Sequence, residues 1–144
     1  PMNTSGDIPY FQGSLEYVWD KWTFQAEYFT YRYENTRTAS GFPISTSTSN
    51  PDTWYVSAAR RINDWCEAGV YYTEYFEDTS HRTGADNYQK DVALALRFDP
   101  ASWCIFKLEG HYIHGTALLR DTASNPVRDD NGWWMLAAKA TFYF

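Results

Sequence analysis

The chain of 144 residues has few cysteine, histidine or methionine residues and no long hydrophobic run. No stretch approaches the ~18 consecutive apolar residues that a membrane-spanning helix needs, and the mean hydropathy is −0.57. The two cysteines, Cys66 and Cys104, have neither metal-site spacing nor the density of a disulfide framework. The net charge is −6 with no basic stripe. These absences argue against a helical membrane protein, a disulfide scaffold and a nucleic-acid-binding domain.

Aromatic residues are abundant instead: 12 Tyr, 9 Phe and 7 Trp make up 19% of the chain. Such side chains favour strands and collect at membrane–water interfaces, where one end of a ring is dry and the other wet. A chain that is rich in aromatics yet polar on average matches a transmembrane β-barrel, because half of each strand faces water. A secreted β-sandwich can share this composition, so both classes stay open at this point.

Period-two alternation of apolar and polar residues recurs in seven segments. In the clearest one, Val92, Leu94 and Leu96 alternate with Asp91 and Arg97. Each segment can cross a bilayer, which takes about 9–11 tilted strand residues. We therefore predict an all-β, antiparallel up-and-down transmembrane barrel segment that spans residues 1–144. The predicted strands cover about residues 10–19, 22–33, 53–62, 65–76, 87–98, 103–118 and 132–144.

The predicted connections alternate between short and long. Tight turns are predicted at 20–21, 63–64 and 99–102, where turn-forming residues cluster. Longer polar loops are predicted at 34–52, 77–86 and 119–131, and the Ser/Thr run at 45–49 is expected to be solvated and mobile. This rhythm is typical of outer-membrane barrels, which have short periplasmic turns and longer extracellular loops.

Large side chains flank every predicted tight turn, as expected of an aromatic girdle at one membrane interface. The alternative is ordinary packing at the strand ends of a soluble core. Arg60 and Glu74 interrupt the alternation on the apolar side, and we expect Glu74 to lie near a membrane rim. The predicted girdle consists of Trp19, Trp22, Trp65, Phe98 and Trp103.

The last strand ends in alternating apolar residues with Phe142 and the terminal Phe144. It resembles the C-terminal assembly signal of outer-membrane barrels, although Lys139 stands where Gly is commoner. The segments 61–65, 88–99 and 103–118 resemble strands of Gram-negative porins. The resemblance implies the C-terminal portion of a porin-like barrel in the bacterial outer membrane. The implied partners are outer-membrane lipid, the barrel-insertion machinery, and the remaining strands of the barrel or neighbouring copies.

Strand counting leads to a related expectation. If Phe144 is periplasmic, seven crossings place the start of the first strand outside the cell, whereas a complete bacterial barrel has an even strand number. We therefore expect a larger barrel, with residues 1–9 in an extracellular loop.

The polar sides of the predicted strands carry five acids and four bases, together with a histidine, in near balance. We predict that they line a water-filled pore for passive diffusion of ions and small hydrophilic solutes. The alternative is the solvated outer face of a sandwich. The predicted pore-lining residues are Glu16, Glu27, Arg61, Glu67, Asp91, Arg97, Lys107, Glu109, His111 and Lys139.

No catalytic residue, cofactor or metal is predicted. His111 and His114 have opposite strand parity, so they point to opposite faces and cannot share a metal. Two other functions remain as alternatives: a structural barrel that sheathes or anchors a partner protein, and an outer-membrane barrel hydrolase, which needs a Ser–His pair. Cys66 and Cys104 are expected to be free thiols that face lipid. One intervening strand would separate them by ~10 Å, more than the ~7 Å that a disulfide tolerates.

Overall fold

The computed structural model describes residues 2–3, 8–39, 42–119 and 131–144, most of which lie in β-strands. Among these residues, no helix is long and apolar enough to cross a membrane. The strands are β1 (Met2–Asn3), β2 (Tyr10–Trp19), β3 (Trp22–Tyr31), β4 (Tyr33–Ala39), β5 (Phe42–Ser49), β6 (Asp52–Asn63), β7 (Cys66–Phe76), β8 (Tyr88–Ala101), β9 (Cys104–Gly115) and β10 (Gly132–Phe142).

Seven of these strands form one antiparallel sheet in the order β10-β9-β8-β7-β6-β3-β2. Strands that follow one another in this sheet along the chain are also neighbours in space, as a meander requires. The prediction of an all-β antiparallel fold is confirmed. In the described part of the chain β2 and β10 each pair on one side only, so no closed barrel is seen.

The prediction of a loop at 34–52 was wrong, because β4 and β5 form a hairpin there, with β1 beside β4 in a three-stranded sheet. The hairpin extends the β3–β6 pair beyond Arg32 and Pro51. Here the Tyr31 N–H donates to the Pro51 carbonyl at 3.3 Å, and the Arg32 N–H donates to Pro9 at 3.1 Å. The predicted strand 22–33 is therefore interrupted at Arg32.

Two tight turns lie later in the chain than predicted. The first is at 20–21 as expected, but the others are at 64–65 and 102–103. Shifts in register between Arg61 and Asn63 and between Phe98 and Ala101 lengthen β6 and β8 into the predicted turn regions. Trp65 and Trp103 consequently lie in the turns themselves. Of the longer loops, 77–87 is described, whereas most of the predicted loop 119–131 lies outside the described residues.

The seven-stranded sheet is a single layer. In the described part of the chain, the backbones of two strands approach each other only where the strands are hydrogen-bonded neighbours, and no second sheet is stacked on the seven-stranded one. Leu96, Leu108 and Leu136 are exposed, the last at 83%. Across the same residues, 27 large hydrophobic side chains are exposed, whereas the buried apolar side chains are only Phe76, Ala93, Cys104, Ile113 and Pro51. A β-sandwich needs two facing layers with an apolar core, so the structure does not support that alternative.

The two cysteines are free thiols, as predicted. Strand β8 lies between their strands, because Cys66 pairs with Phe98 of β8 and Cys104 pairs with Ala101 of the same strand. The expectation that both thiols are exposed was wrong for Cys104, which is buried. It is flanked on both sides, by Ala101 and by Phe142 of β10.

Candidate functional site: the polar face of the sheet

The strand register places all ten predicted pore-lining residues on one side of the sheet, which we call the polar face. Directly paired residues of neighbouring strands point to the same side. One row runs across six strands from Glu16 on β2 to His111 on β9, and a second contains Glu27 and Asp91. The residues of the first row are Glu16, Gln25, Ser57, Tyr71, Ala93 and His111.

Burial differs sharply between the two faces. On β8, Ala93 of the polar face is 0% exposed and Asp91 is 8% exposed. Their neighbour Leu94, on the opposite apolar face, is 68% exposed. Among the described residues no second strand layer covers the polar face, and its side chains contact one another, as Asp91, Tyr71 and His111 do.

A buried polar cluster centres on His111, which is 4% exposed. Its Nδ1 lies 2.9 Å from Asp91 Oδ2 and 3.1 Å from the Tyr71 hydroxyl oxygen. An ionised carboxylate only accepts hydrogen bonds, so Nδ1–H donates to Asp91. His111 Nε2 lies 3.7 Å from Glu109 Oε2, too far for a hydrogen bond. Asp91 Oδ1 and His111 Nε2 are both buried without a hydrogen-bond partner in the described part of the chain.

The end of the polar face that contains the tight turns carries a row of charged residues, which we call the turn-end row. Each residue of the row pairs with the next across the sheet. The row consists of Arg61, Glu67, Arg97, Lys107 and Lys139.

Asp99, which the sequence analysis missed, joins two members of this row. Its carboxylate lies 2.6 Å from Arg61 Nη2 and 2.8 Å from Arg97 Nε. Arg61 also lies 3.8 Å from Glu67. Lys107 and Lys139 form no ion pair with another described residue. Because Asp99 was predicted to lie in a turn, the sequence pattern did not place it on this face.

The net charge changes along the face, which the near balance of charges in the sequence does not show: the turn-end row contains the acid Glu67 and has Asp99 beside it, but it has an excess of bases. Four carboxylates occupy the middle rows, whereas the arginine and lysine residues lie in the turn-end row. The middle carboxylates are Glu16, Glu27, Asp91 and Glu109.

The predicted girdle lies at the turn end of the sheet, where its rings stack in pairs. The ring centroids of Trp65 and Phe98 are 6.0 Å apart, and those of Trp103 and Phe142 are 6.2 Å apart. Trp19 and Trp22 are paired residues across the first turn. We call these six residues the turn-end belt. Phe142, predicted as part of the assembly signal, thus belongs to the belt, and Phe144 lies beyond the end of β10, fully exposed.

A second group of aromatic residues, missed in the sequence analysis, lies on the apolar face toward the long loops. Trp54 and Tyr72 have ring centroids 5.5 Å apart, and those of Tyr112 and Trp134 are 5.0 Å apart. With Tyr28, which pairs with Trp54, they form what we call the loop-end belt. The alternation pattern already placed these side chains on the apolar side, and comparing their positions within each strand could have shown the second belt.

Both residues that interrupt the apolar pattern have local partners. The Arg60 guanidinium lies 5.4 Å from the Trp22 ring centroid, within cation–π range. Glu74 lies 3.2 Å from Lys90 of the neighbouring strand, and the Tyr72 hydroxyl donates to its carboxylate at 2.5 Å. Glu74 is in the cross-strand row of Trp54, so it lies beside the loop-end belt.

The histidines do not converge on a shared site. His114 stacks on Tyr88 on the apolar face, and His81 lies in the loop beside Asp78. In the part of the chain that the structure describes, no group of three or more acidic, histidine or cysteine side chains could hold a metal ion. Likewise, no described serine hydroxyl is hydrogen-bonded to a histidine.

Comparison with protein-family models, with curated proteins and with solved structures finds no match to this chain.

Proposed function

We propose that this chain forms part of the wall of an outer-membrane porin, a water-filled channel for passive diffusion of ions and small hydrophilic solutes. One observation carries the proposal: a single-layer sheet exposes an apolar face between two aromatic belts and turns its charged residues to the other side. Water-soluble proteins bury such an apolar surface, whereas a transmembrane barrel presents it to lipid.

The separation of the two belts supports a bilayer as the environment of the apolar face. On β10, Trp134 of the loop-end belt and Ala140, in the row of Phe98, are six residues apart. At ~3.3 Å per residue this is about 20 Å along the strand, close to the ~25 Å apolar band of such barrels. The side chains between the belts are mostly aliphatic, including Val70, Leu94 and Leu136.

The polar face supports an aqueous interior. Side chains of strands that are not neighbours meet there, Tyr71 of β7 with His111 of β9 and Arg61 of β6 with Asp99 of β8, as expected of a sheet that curves toward that face, because side chains on a concave surface converge. The excess of bases in the turn-end row and of acids in the middle rows then gives a solute successive zones of opposite net charge. Such zones select solutes by charge and size, and the solutes pass without being chemically changed.

The edges of the sheet must be completed for a channel to form, because open backbone edges are not tolerated in lipid. Strands β2 and β10 are the two edges that need partners. Further strands of the same barrel or neighbouring copies would pair with them. The alternating end of β10, with Phe142 and Phe144, would be recognised by the barrel-insertion machinery.

A matched pair of cysteine variants tests the proposal by conductance in a planar bilayer. Ala58 and Ala59 are adjacent on β6 and point to the apolar and polar faces respectively. With Cys66 and Cys104 changed to Ser, we expect a charged, water-soluble thiol reagent to reduce the conductance of Ala59→Cys and to leave that of Ala58→Cys unchanged. A protein that inserts but gives no conductance, or equal modification of both variants, contradicts the pore.

A further inference from the structure

The polar face contains a depression of about 340 Å³ between β3, β6 and β7. Its volume is within the ~300–1,000 Å³ range of small-molecule sites. All the lining side chains are uncharged, and every one can form hydrogen bonds. They are Gln25, Tyr55, Ser57, Tyr71 and Thr73.

Two tyrosine rings flank this depression. Tyr55 pairs with Thr73, and Tyr71 pairs with Ser57, so the two tyrosines are diagonal neighbours on adjacent strands, about 7–8 Å apart. The Tyr71 ring is fixed by its hydroxyl contact with His111 at 3.1 Å. The Tyr55 hydroxyl has no hydrogen-bond partner among the described residues. A water-facing wall has no need of aromatic rings, so these two indicate contact with a ligand that is partly apolar.

Three polar side chains of the depression are held by hydrogen bonds, one of them between two lining residues. The Gln25 amide donates to Glu16 Oε2 at 2.7 Å, and the Ser57 hydroxyl donates to Gln25 Oε1 at 3.4 Å. The Thr73 hydroxyl donates to the Trp54 carbonyl at 2.9 Å. Gln25, Ser57 and Thr73 are therefore already ordered before a ligand binds. Because their remaining hydrogen-bonding groups are held in place, less conformational entropy is lost on binding.

We propose that this depression binds a neutral saccharide. The C–H groups on one side of a sugar ring are apolar and stack on an aromatic ring, while the sugar hydroxyls both donate and accept hydrogen bonds, as amide and hydroxyl side chains do. The proposal deepens the proposed function by naming a solute class for the same face. Binding itself does not require that the channel conduct.

The charges around the depression argue against an anionic ligand. The nearest ionised groups on the same face include Glu16, Glu27 and Asp91, which repel anions. The arginine and lysine residues of the face lie in the turn-end row. The same carboxylates would attract a cation, although none of the five lining residues is itself charged, so tetramethylammonium is the comparison that distinguishes a cationic ligand from a neutral one.

Further rings on the polar face lead from the long-loop end toward the depression. The Tyr31 and Tyr33 rings stack with centroids 5.8 Å apart, and Phe29 and Tyr31 are 5.5 Å apart. Tyr75 lies in the row of Phe29, one row from Tyr55. These residues extend the aromatic surface beyond one sugar ring, as expected for a saccharide of two or more units.

Isothermal titration calorimetry of the full chain, refolded in a detergent without a sugar headgroup, tests the site. The probes are glucose, galactose, sucrose and lactose, with tetramethylammonium and inorganic phosphate as charged comparisons. We expect at least one saccharide to bind, and Tyr55→Ala to weaken its Kd about tenfold or more because the stacking ring is lost. Tyr55→Phe keeps the ring and should bind nearly as tightly as the unchanged chain.

The control Tyr17→Ala removes an exposed tyrosine on the apolar face of β2 and should leave Kd unchanged. Far-UV circular dichroism verifies that each variant folds. Binding of tetramethylammonium or phosphate alone, binding of no probe, or equal affinities of Tyr55→Ala and Tyr17→Ala overturns the saccharide site. None of these outcomes affects the conductance test, and a chain that binds sugar without conducting would overturn the pore alone.

Discussion

At the scale of single residues, Asp99 has the most consequential side chain beside the turn-end row, because its one carboxylate bridges two guanidinium groups. Removing its charge leaves Arg61 and Arg97 close together beside Lys107 without a shared counter-ion. Hydrogen bonds to charged groups contribute about 1.5–3 kcal/mol each. We expect Asp99→Asn to lower the free energy of unfolding by about 2 kcal/mol, measured by urea titration in lipid vesicles.

The matched control is Asp64→Asn. Asp64 is exposed and contacts Arg61 through its backbone carbonyl at 2.8 Å, which the substitution keeps. Its stability should therefore change by less than about 0.5 kcal/mol. Equal effects of the two substitutions would show that Asp99 does not hold the row together.

Gly115 ends β9 and gives a second prediction for one residue. Its φ of 97° is in the region that favours glycine, and an added Cβ would collide with the Tyr88 carbonyl. We expect Gly115→Ala to cost about 2 kcal/mol or more of unfolding free energy. Gly13→Ala is the control, since a Cβ there meets only the Phe11 ring at 3.6 Å; a similar loss in both variants would contradict the argument.

At the scale of elements, the loop 77–87 contains a pH-sensitive turn. The backbone N–H of Ser80 donates to Asp78 Oδ1 at 2.8 Å and, with His81 nearby, lowers the pKa of Asp78. The ionised Asp78 carboxylate therefore stabilises the turn fully when the pH is above 3.8, the ordinary pKa of an aspartate. This stabilisation is lost as the pH falls through the lowered pKa of Asp78, where the carboxylate is protonated.

Amide hydrogen exchange at Ser80, corrected for intrinsic rates, measures this effect. Protection should fall as the pH is lowered through the range below 3.8. In Asp78→Asn, whose side chain does not titrate, protection should be weak and constant over that range. A pH-dependent loss that persists in the variant would assign the effect to another group.

The elements also show how far the sequence predicts this fold. The seven strands of the main sheet and their faces follow from period-two alternation, because each has one apolar and one polar side. The β4–β5 hairpin could not be predicted in this way. Its Ser/Thr tract at 45–49 is uniformly polar, so periodicity gives no signal for a strand. The hairpin forms as an extension of the β3–β6 pair, a tertiary effect.

The candidate site was predicted as a face but not as a network. Strand parity identifies which residues share a side. The contact of His111 with Asp91 and Tyr71, however, depends on the register of three strands. A shift of one residue in any of them would move its side chains to the other face of the sheet. Asp99 was missed for the same reason, since an irregularity in β8 moved it from a predicted turn into the strand.

At the scale of the whole molecule, the exposed apolar face distinguishes a membrane-inserted wall from a sheet in water. Leu94 lies between the two belts and is 68% exposed, so in water a charge there should cost little stability. In a bilayer, Lys or Arg at the midplane of a barrel's lipid face costs about 2–4 kcal/mol. The same substitution therefore has different outcomes in the two environments.

We expect Leu94→Lys to reduce the free energy of unfolding in lipid vesicles by about 2–4 kcal/mol, measured by urea titration. The control Ala95→Lys changes the next residue on the polar face, where Glu109 is the directly paired residue and attracts the new charge. Its stability should stay within about 1 kcal/mol of the unchanged chain. If Leu94→Lys is tolerated in vesicles as well as Ala95→Lys, the apolar face does not contact lipid, and the porin proposal loses its main support.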